Sequence, residues 1–416
     1  MCPRTTIPLT IVSLSTLSMR ITIVTGPFHP TPPGPSGAVE RRWYYVAREF
    51  ARKGHDVTFI SKRAPSLPAS EVVDGVQHFR HTNFKATRFL TINLLYDLIY
   101  AIRSMRRLPR ADILVTNDFT LPVFAKWVVP FAGRISMNVA RVPKGQLFLY
   151  QGATRLVGVS SMIRDEIVRQ TPSLAARAHF IPNPIDTSIF NQEPGENVLT
   201  SSEPEIVYTG RVHREKGLDT LIKAHRLLWK EFPDLRLRII GPWRVESGGG
   251  GEKFLKQLKK LAGDAPVEFT DAIYDRAQLA TAIRRGRYYC YPSVAERGEA
   301  FPCAPLEAMG CGRVPIVSKL LQFRDYIRDG ENGVYFDHTA VDPVKALADT
   351  MRRLIVDPAL TQRLASQAAI DATHYSFDRI ADLYLQDFSE MLGQSGPATA
   401  KAAAAVVSTD PIAPVR

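Results

Sequence analysis

Ile21-Thr22-Ile23-Val24, a Pro- and Gly-rich loop to Gly37, then Val39, Trp43, Val46, Ala47 and Phe50 at helical spacing, then Val57-Thr58-Phe59-Ile60: this stretch decides the fold. Short apolar runs bounded by turn residues are buried strands, and apolar positions three and four apart line one side of a helix. Strand, loop, helix and strand in that succession form a βαβ unit with parallel strands. Its first loop lies at the carboxyl edge of the sheet, where ligands bind. The helix stops at Lys53-Gly54.

Working outward, Ile113 to Thr116, Arg134 to Val139 and Leu156 to Val159 read as further strands of the same sheet, giving a first domain over residues 19–190. Residues 191–204 carry Pro, Gly, Ser, Asn and Glu without apolar rhythm and read as a linker. A second alternating series fills 205–370. Its strands are expected at Ile206 to Thr209, Leu235 to Ile240, Val267 to Phe269, Tyr288 to Tyr291 and Pro315 to Val317, with Leu218, Leu221, Ile222 and Leu228 on one helix face. The expected class is therefore α/β, with two consecutive doubly wound domains. Gly248 to Gly251 read as a surface spacer. Residues 371–392 hold a last helix from Phe377 to Met391. Residues 1–18 are too short to span a bilayer of about 30 Å and read as a leader or a disordered segment; 393–416, rich in Ala, Ser, Thr and Pro, read as a disordered tail.

With 416 residues, 45% hydrophobic and 23% charged, the chain suits a soluble protein of two or three domains and excludes wholesale disorder and a multi-span membrane protein. Cys2, Cys290, Cys303 and Cys311 are too few for a disulfide framework and lack metal-ligand spacing, which fits a reducing cytosol. The net charge of +12 is unevenly placed: residues 1–200 carry 24 basic and 13 acidic side chains, the remainder 29 and 28. A one-sided basic field attracts polyanions, including anionic membranes. No nucleic-acid-binding motif accompanies it, so nucleic acid is not an expected partner. Phe89 to Arg110 sets Ile92, Leu95, Leu98, Ile99 and Ile102 on one helix face, followed by Arg103, Arg106, Arg107 and Arg110. A doubly wound fold is expected to bury that face in its core; the other reading is a basic amphipathic helix on anionic lipid.

Two constellations carry chemistry. Arg211 and Lys216 stand five apart in Gly210-Arg211-Val212-His213-Arg214-Glu215-Lys216-Gly217, between a strand and a helix N-terminus, where two cations and free amides converge on a diphosphate. Glu299 precedes and Glu307 opens a helix starting near Pro305; carboxylates accept hydrogen bonds from sugar hydroxyls.

The runs Tyr208 to Leu218, Glu299 through Leu306-Glu307-Ala308-Met309, and Asp329-Gly330-Glu331-Asn332-Gly333 resemble, in order and spacing, family 4 of the retaining nucleotide-sugar glycosyltransferases. Ser36-Gly37-Ala38-Val39-Glu40, Lys53 to Val57 and Ile181 to Asp186 are similar as well. The resemblance implies a GT-B fold: two Rossmann-like domains facing a cleft, with a C-terminal helix crossing back to the first. It implies that a hexose passes from a nucleotide-diphosphate sugar, held by the second domain, to a saccharide or lipid-linked glycan held by the first. Arg211 and Lys216 would neutralise the departing diphosphate, Glu307 would bind the ribose and Glu299 the donor sugar. Gly37 would admit backbone amides to the phosphates.

Three departures stand out. Ala300 and Pro302 replace glycines, so amide contacts fall to Phe301 or Cys303. Glu296 offers an alternative register to Glu299. Asn138 occupies the region where a histidine is often found beside the reacting sugar, and it cannot exchange a proton near neutral pH. Same-face substitution, in which the leaving phosphate oxygen takes the acceptor proton, tolerates that change. No Asp-x-Asp triplet occurs, so neither metal nor cofactor is expected. A cytoplasmic enzyme, peripheral at the inner face of the membrane, is the expected setting. A catalytically weakened glycan-binding or scaffold protein with the same fold is the alternative.

Overall fold

A computed structural model describes residues 18–32, 37–193 and 195–394. The leader reading of the first residues and the tail reading after Gln394 fall outside the described residues, apart from Ser18, Gly393 and Gln394 themselves.

The first domain alternates β1 (Arg20–Val24), α1 (Ala38–Arg52), β2 (Asp56–Lys62), β3 (Ser70–Val73), β4 (Val76–His81), α2 (Leu90–Met105), β5 (Ile113–Thr116), α3 (Leu121–Val128), β6 (Arg134–Val139), β7 (Arg155–Gly158), α4 (Ser161–Gln170) and β8 (Ala178–Phe180). The strands pair in the order β3-β4-β2-β1-β5-β6-β7-β8, parallel except for β3 against β4. That hairpin extends the sheet beyond the strands expected from sequence. Its strand β4 buries Val76, His78 and Arg80 on one side and sets Gln77, Phe79 and His81, partly buried, on the other, a mixed sequence that does not read as an apolar run.

A short helix, α5 (Val198–Ser201), lies inside the segment expected to be a bare linker, and Val198 is fully buried. Six parallel strands follow, paired β11-β10-β9-β12-β13-β14: β9 (Glu203–Thr209), β10 (Arg236–Ile240), β11 (Val267–Thr270), β12 (Gly286–Tyr291), β13 (Val314–Ser318) and β14 (Val334–Phe336). Between and after them run α6 (Leu218–Trp229), α7 (Gly251–Ala262), α8 (Arg276–Arg285), α9 (Cys303–Gly310), α10 (Pro343–Val356) and α11 (Pro358–Ala372). The glycine run is no loose spacer. Gly250 N–H donates to the Val212 carbonyl at 2.8 Å, Gly248 offers its carbonyl to Arg211, and Gly251 opens α7.

The last helix, α12 (Phe377–Met391), returns to the first domain and packs along α1. Tyr384 meets Trp43 at 4.8 Å between ring centroids and Phe388 meets Phe50 at 5.8 Å, within one core shared with Ile21, Ile23 and Phe59. Lys53 holds Asp378 and Asp382, and Arg155 holds Asp387. The opposite face of the first sheet is covered by α2, α3 and α4, and here one expectation fails. Helix α2 turns Asp97, Tyr100, Ala101 and Ser104 inward and leaves Leu95 (53% exposed), Leu98 and Ile102 outside. Asp97 is drawn in toward the segment that precedes α3, accepting from the Thr120 N–H at 2.8 Å and hydroxyl at 2.5 Å.

Candidate functional site

The loop after β9 places Lys216 and Arg211. Gly217 adopts φ 65°, and a Cβ there would sit 2.1 Å from the Pro292 carbonyl oxygen, so only glycine lets this loop press against the segment after β12. The contact is fastened by Val294 N–H and Ser293 Oγ, both donating to the Glu215 carbonyl. Lys216 is thereby buried, with its ammonium 2.5 Å from Glu299 Oε1, while the Tyr291 hydroxyl donates to the same oxygen at 3.0 Å. The Tyr291 ring lies 5.5 Å from the ammonium. Burial and the neighbouring Glu299 charge hold the Tyr291 phenol well above its usual pKa, so it remains a donor.

Arg211 is half-exposed. Its guanidinium meets Glu215 Oε1 at 2.7 Å, and Lys216 Nζ lies 3.7 Å from that same oxygen. Arg211, Lys216 and Glu299 therefore form one connected cluster through Glu215. The alternative carboxylate, Glu296, is exposed, whereas Glu299 is buried.

Glu307 sits within α9, buried, and accepts from Arg276 at the start of α8 at 2.6 Å. Pro302 provides no side-chain cap to α9, so the first amides of this helix, beginning at Cys303, are donors without an intrahelical partner. Burial pushes the Cys303 thiol up to about 12, which leaves it neutral. The Phe301 side chain is not in the polar cluster: it is buried against Tyr326 and Tyr375, and its carbonyl accepts from Asn183 of the first domain at 3.4 Å.

On the first-domain side, Gly37 caps α1 in the left-handed conformation at φ 99° with no side-chain cap, and the first-turn Glu40 carboxylate is buried beside it and accepts from its own amide. Arg41 and Arg42 follow, and among the described residues neither makes an ion pair. Burial lowers both guanidinium pKa values; the nearby Arg276 charge adds to the effect at Arg41, while Glu307 opposes it. Arg42 donates to Asn183 at 2.7 Å and to Asn138 Oδ1 at 2.5 Å. The amide of Asn138 in turn donates to the Val157 carbonyl and to the Tyr384 hydroxyl of α12. Both ends of Asn138 are engaged, by the first domain and by α12. It links the sheet to α1 and α12 and does not join the Arg211–Lys216–Glu299 cluster.

Several residues of the site were not singled out from sequence. Arg276 is 31 positions from the carboxylate it serves, and Tyr291 reads as a strand residue. Arg41 and Arg42 had a legible signal, two arginines in the first turn after the Gly37 loop. The candidate site occupies the carboxyl edges of both sheets. A separate recess of about 470 Å³, lined by Glu203, Trp229, Arg236 and Asp264, lies at the opposite, amino edge of the second sheet, away from every residue above.

Residues 37–189 match the model described as "Glycosyltransferase Family 4", and 190–371 the one described as "Glycosyl transferases group 1". The chain belongs to this glycosyltransferase family. Within it, a D-inositol 3-phosphate glycosyltransferase of Arthrobacter sp. (strain FB24) is 26% identical over 60% of this chain and 59% of its own length. A phosphatidyl-myo-inositol mannosyltransferase of Mycobacterium tuberculosis is 27% identical over 54% and 57%. The chain thus matches less than two thirds of the length of these relatives. The D-inositol 3-phosphate glycosyltransferase 1 of Catenulispora acidiphila is 24% identical over 88% and 93%. Among solved structures, sucrose-phosphate synthase from Thermosynechococcus elongatus superposes with TM-score 0.70 at 19% identity, covering 91% of this chain and all of that one. Anabaena HepE in complex with UDP-glucose gives 0.66 at 15%, covering 91% and 100%. These likenesses establish the GT-B fold for this family member.

Proposed function

We propose that this chain is a retaining, metal-independent glycosyltransferase that moves a hexose from a nucleotide-diphosphate sugar to a saccharide or lipid-linked glycan at the cytoplasmic face of a membrane. The observation that carries the reading is the buried Lys216–Glu299 contact, joined through Glu215 to Arg211, at the carboxyl edge of the second sheet. Each cation is already paired with a carboxylate, so the positive surplus for a diphosphate comes from Arg41 and Arg42 across the cleft. A donor entering between the domains would exchange protein carboxylate for phosphate oxygen at Arg211 and Lys216. Glu299, still held by the Tyr291 hydroxyl, would turn to the sugar hydroxyls. Glu307, oriented by Arg276, would accept from the ribose, and the amides at Gly37 and Cys303 would face the phosphates.

As the bond from the anomeric carbon to the phosphate oxygen lengthens, negative charge grows on that oxygen. Fixed cations in a closed site stabilise it without reorganisation. The same oxygen takes the proton of the attacking hydroxyl on the same face, so the anomeric configuration is kept and no protein base is required; this agrees with Asn138 being engaged elsewhere. The inositol-directed activities in the names of the relatives and the UDP-glucose complex of HepE support a nucleotide-sugar donor and a phosphorylated or lipid-linked acceptor. No metal or cofactor has a role in this scheme.

The test is release of nucleoside diphosphate from a panel of nucleotide sugars, with chelator present, and proton NMR of the product. Turnover that survives chelation, vanishes in Arg211→Ala and yields the donor's own anomeric configuration is the expected result. Tight donor binding without turnover, with or without acceptors, would instead identify a glycan-binding protein that kept the fold.

A further inference from the structure

We propose that the outer surface of α2 and α3 is a docking face for an anionic lipid bilayer. The helix α2 is inverted relative to an ordinary core-covering helix: Leu95, Leu98 and Ile102 form a stripe facing solvent while a carboxylate and two hydroxyl-bearing side chains face the sheet. Helix α3 packs beside it and carries Phe124 and Trp127 outward, Trp127 at 65% exposure. Of 21 large hydrophobic side chains exposed among the described residues, 12 lie between Phe84 and Phe148, so the exposure is concentrated on one part of one domain. Apolar surface gathered in this way is an interaction site.

The charge around it selects the occupant. Residues 82–154 contain ten basic side chains and three acidic ones. Two of the acids, Asp97 and Asp118, are buried, and the third, Asp112, is paired with Arg20. Burial raises the pKa of both Asp97 and Asp118, which weakens their negative contribution further. Lys85 and Arg88 precede the stripe, Arg106, Arg107 and Arg110 follow it, and Lys126 lies on α3. Among the described residues none of these six makes an ion pair. An apolar strip lying flat, with cations at both ends reaching outward, matches an interface of acyl chains below and lipid phosphates above. A protein partner would have to bring a large apolar patch ringed with acids, and a nucleic acid would leave the apolar stripe unused.

The face also has a direction. The loop that begins α2 is tied to the mouth of the cleft: Asn83 donates to the Pro27 carbonyl at 3.0 Å, and Lys62 bridges the Phe28 and Phe84 carbonyls. A bilayer under α2 therefore lies beside the loop that leads to Gly37. The inference rests on the membrane setting proposed above and assigns the surface that makes the contact, and its test needs no sugar transfer.

The full chain is sedimented with vesicles of three parts phosphatidylcholine to one part phosphatidylglycerol, and with phosphatidylcholine alone. Binding to the anionic vesicles is expected, weaker by about tenfold or more on the neutral ones and in about 1 M salt, where the screening length is about 3 Å. The triple variants Leu95→Ser/Leu98→Ser/Ile102→Ser and Arg106→Glu/Arg107→Glu/Arg110→Glu, altered only at or near the surface, should each lose about tenfold or more while keeping the parent melting temperature. Trp127 emission should shift to the blue on anionic vesicles, and Trp127→Phe should abolish that change. No pelleting with anionic vesicles, pelleting indifferent to both triple variants, burial of Trp127 by self-association without lipid, or a preference for RNA over vesicles would each overturn the proposal. Nucleotide release in vesicle-free buffer, measured on the same variants, keeps failure of this inference distinct from failure of the transfer reading.

Discussion

The carboxyl edges of the two sheets face each other but are built differently. In the second domain every cation of the cluster has a carboxylate beside it: Arg211 with Glu215, Lys216 with Glu299, Arg276 with Glu307. In the first domain Arg41 and Arg42 have none among the described residues, and Arg42 is held by two asparagine side-chain oxygens. Paired charges are pre-oriented and lose little when a ligand exchanges for one partner. Unpaired buried charges raise the local potential at a cost in desolvation. The second edge is therefore suited to recognising a donor and the first to supplying field and holding the domains in register.

That division can be broken by experiment. After the loss of turnover expected of Arg211→Ala, the largest effect belongs to Lys216→Ala, which removes a buried cation from the leaving group and leaves Glu299 without its ion-pair partner; nucleotide release should fall by roughly 10²–10³-fold. A loss under tenfold would place the leaving-group field elsewhere. Next comes acid stability, which the first sheet should dominate. Burial, aided by Arg80, lowers the His78 pKa to about 4. The unfolded chain takes up the proton near pH 6.5 and the folded chain only near 4, so folding stability falls as pH drops through that window, by up to about 3 kcal/mol. Replacement of His78 by Phe should flatten the decline in melting temperature from pH 7 to 5.

Asn138→Ala should cost about 1–3 kcal/mol of stability, because the Arg42 guanidinium loses a buried acceptor, while donor affinity stays close to that of the parent. Calorimetric titration with the nucleotide diphosphate would reverse this view of Asn138 if affinity collapsed without a change in melting temperature. The smallest effect is expected at Glu307→Gln: the nucleotide should bind about tenfold more weakly, a loss of about 1.4 kcal/mol, with turnover at saturation preserved.

Much of the second domain was legible because its site is local. Lys216 and its loop lie in one short run, and the seven intervening residues set Glu299 and Glu307 on either side of a helix start. The spacing to Glu307 favoured Glu299 over Glu296, and Gly217 lets its loop approach Pro292 and bury Lys216 against Glu299. Arg276 was illegible because the ion pair is made by tertiary packing across 31 positions. In the first domain the βαβ unit was plain, yet the β3–β4 hairpin was not, since His78 and Arg80 are buried polar residues in a strand that never reads as apolar. Helix α2 misled in the opposite way. Its apolar period is real, but Asp97 is bound by Thr120 just before α3, and Tyr100 and Ala101 pack into the core beside it, which leaves Leu95 and Leu98 outside.

The returning helix α12 has a consequence for how the molecule is made. Trp43, Phe50 and Phe59 emerge from the ribosome long before the side chains that cover them, Tyr384 and Phe388. For most of translation the amino-terminal half carries an open hydrophobic face. Its completion is a late closing step that waits for α12, and a truncation before Phe377 would strand that face in water.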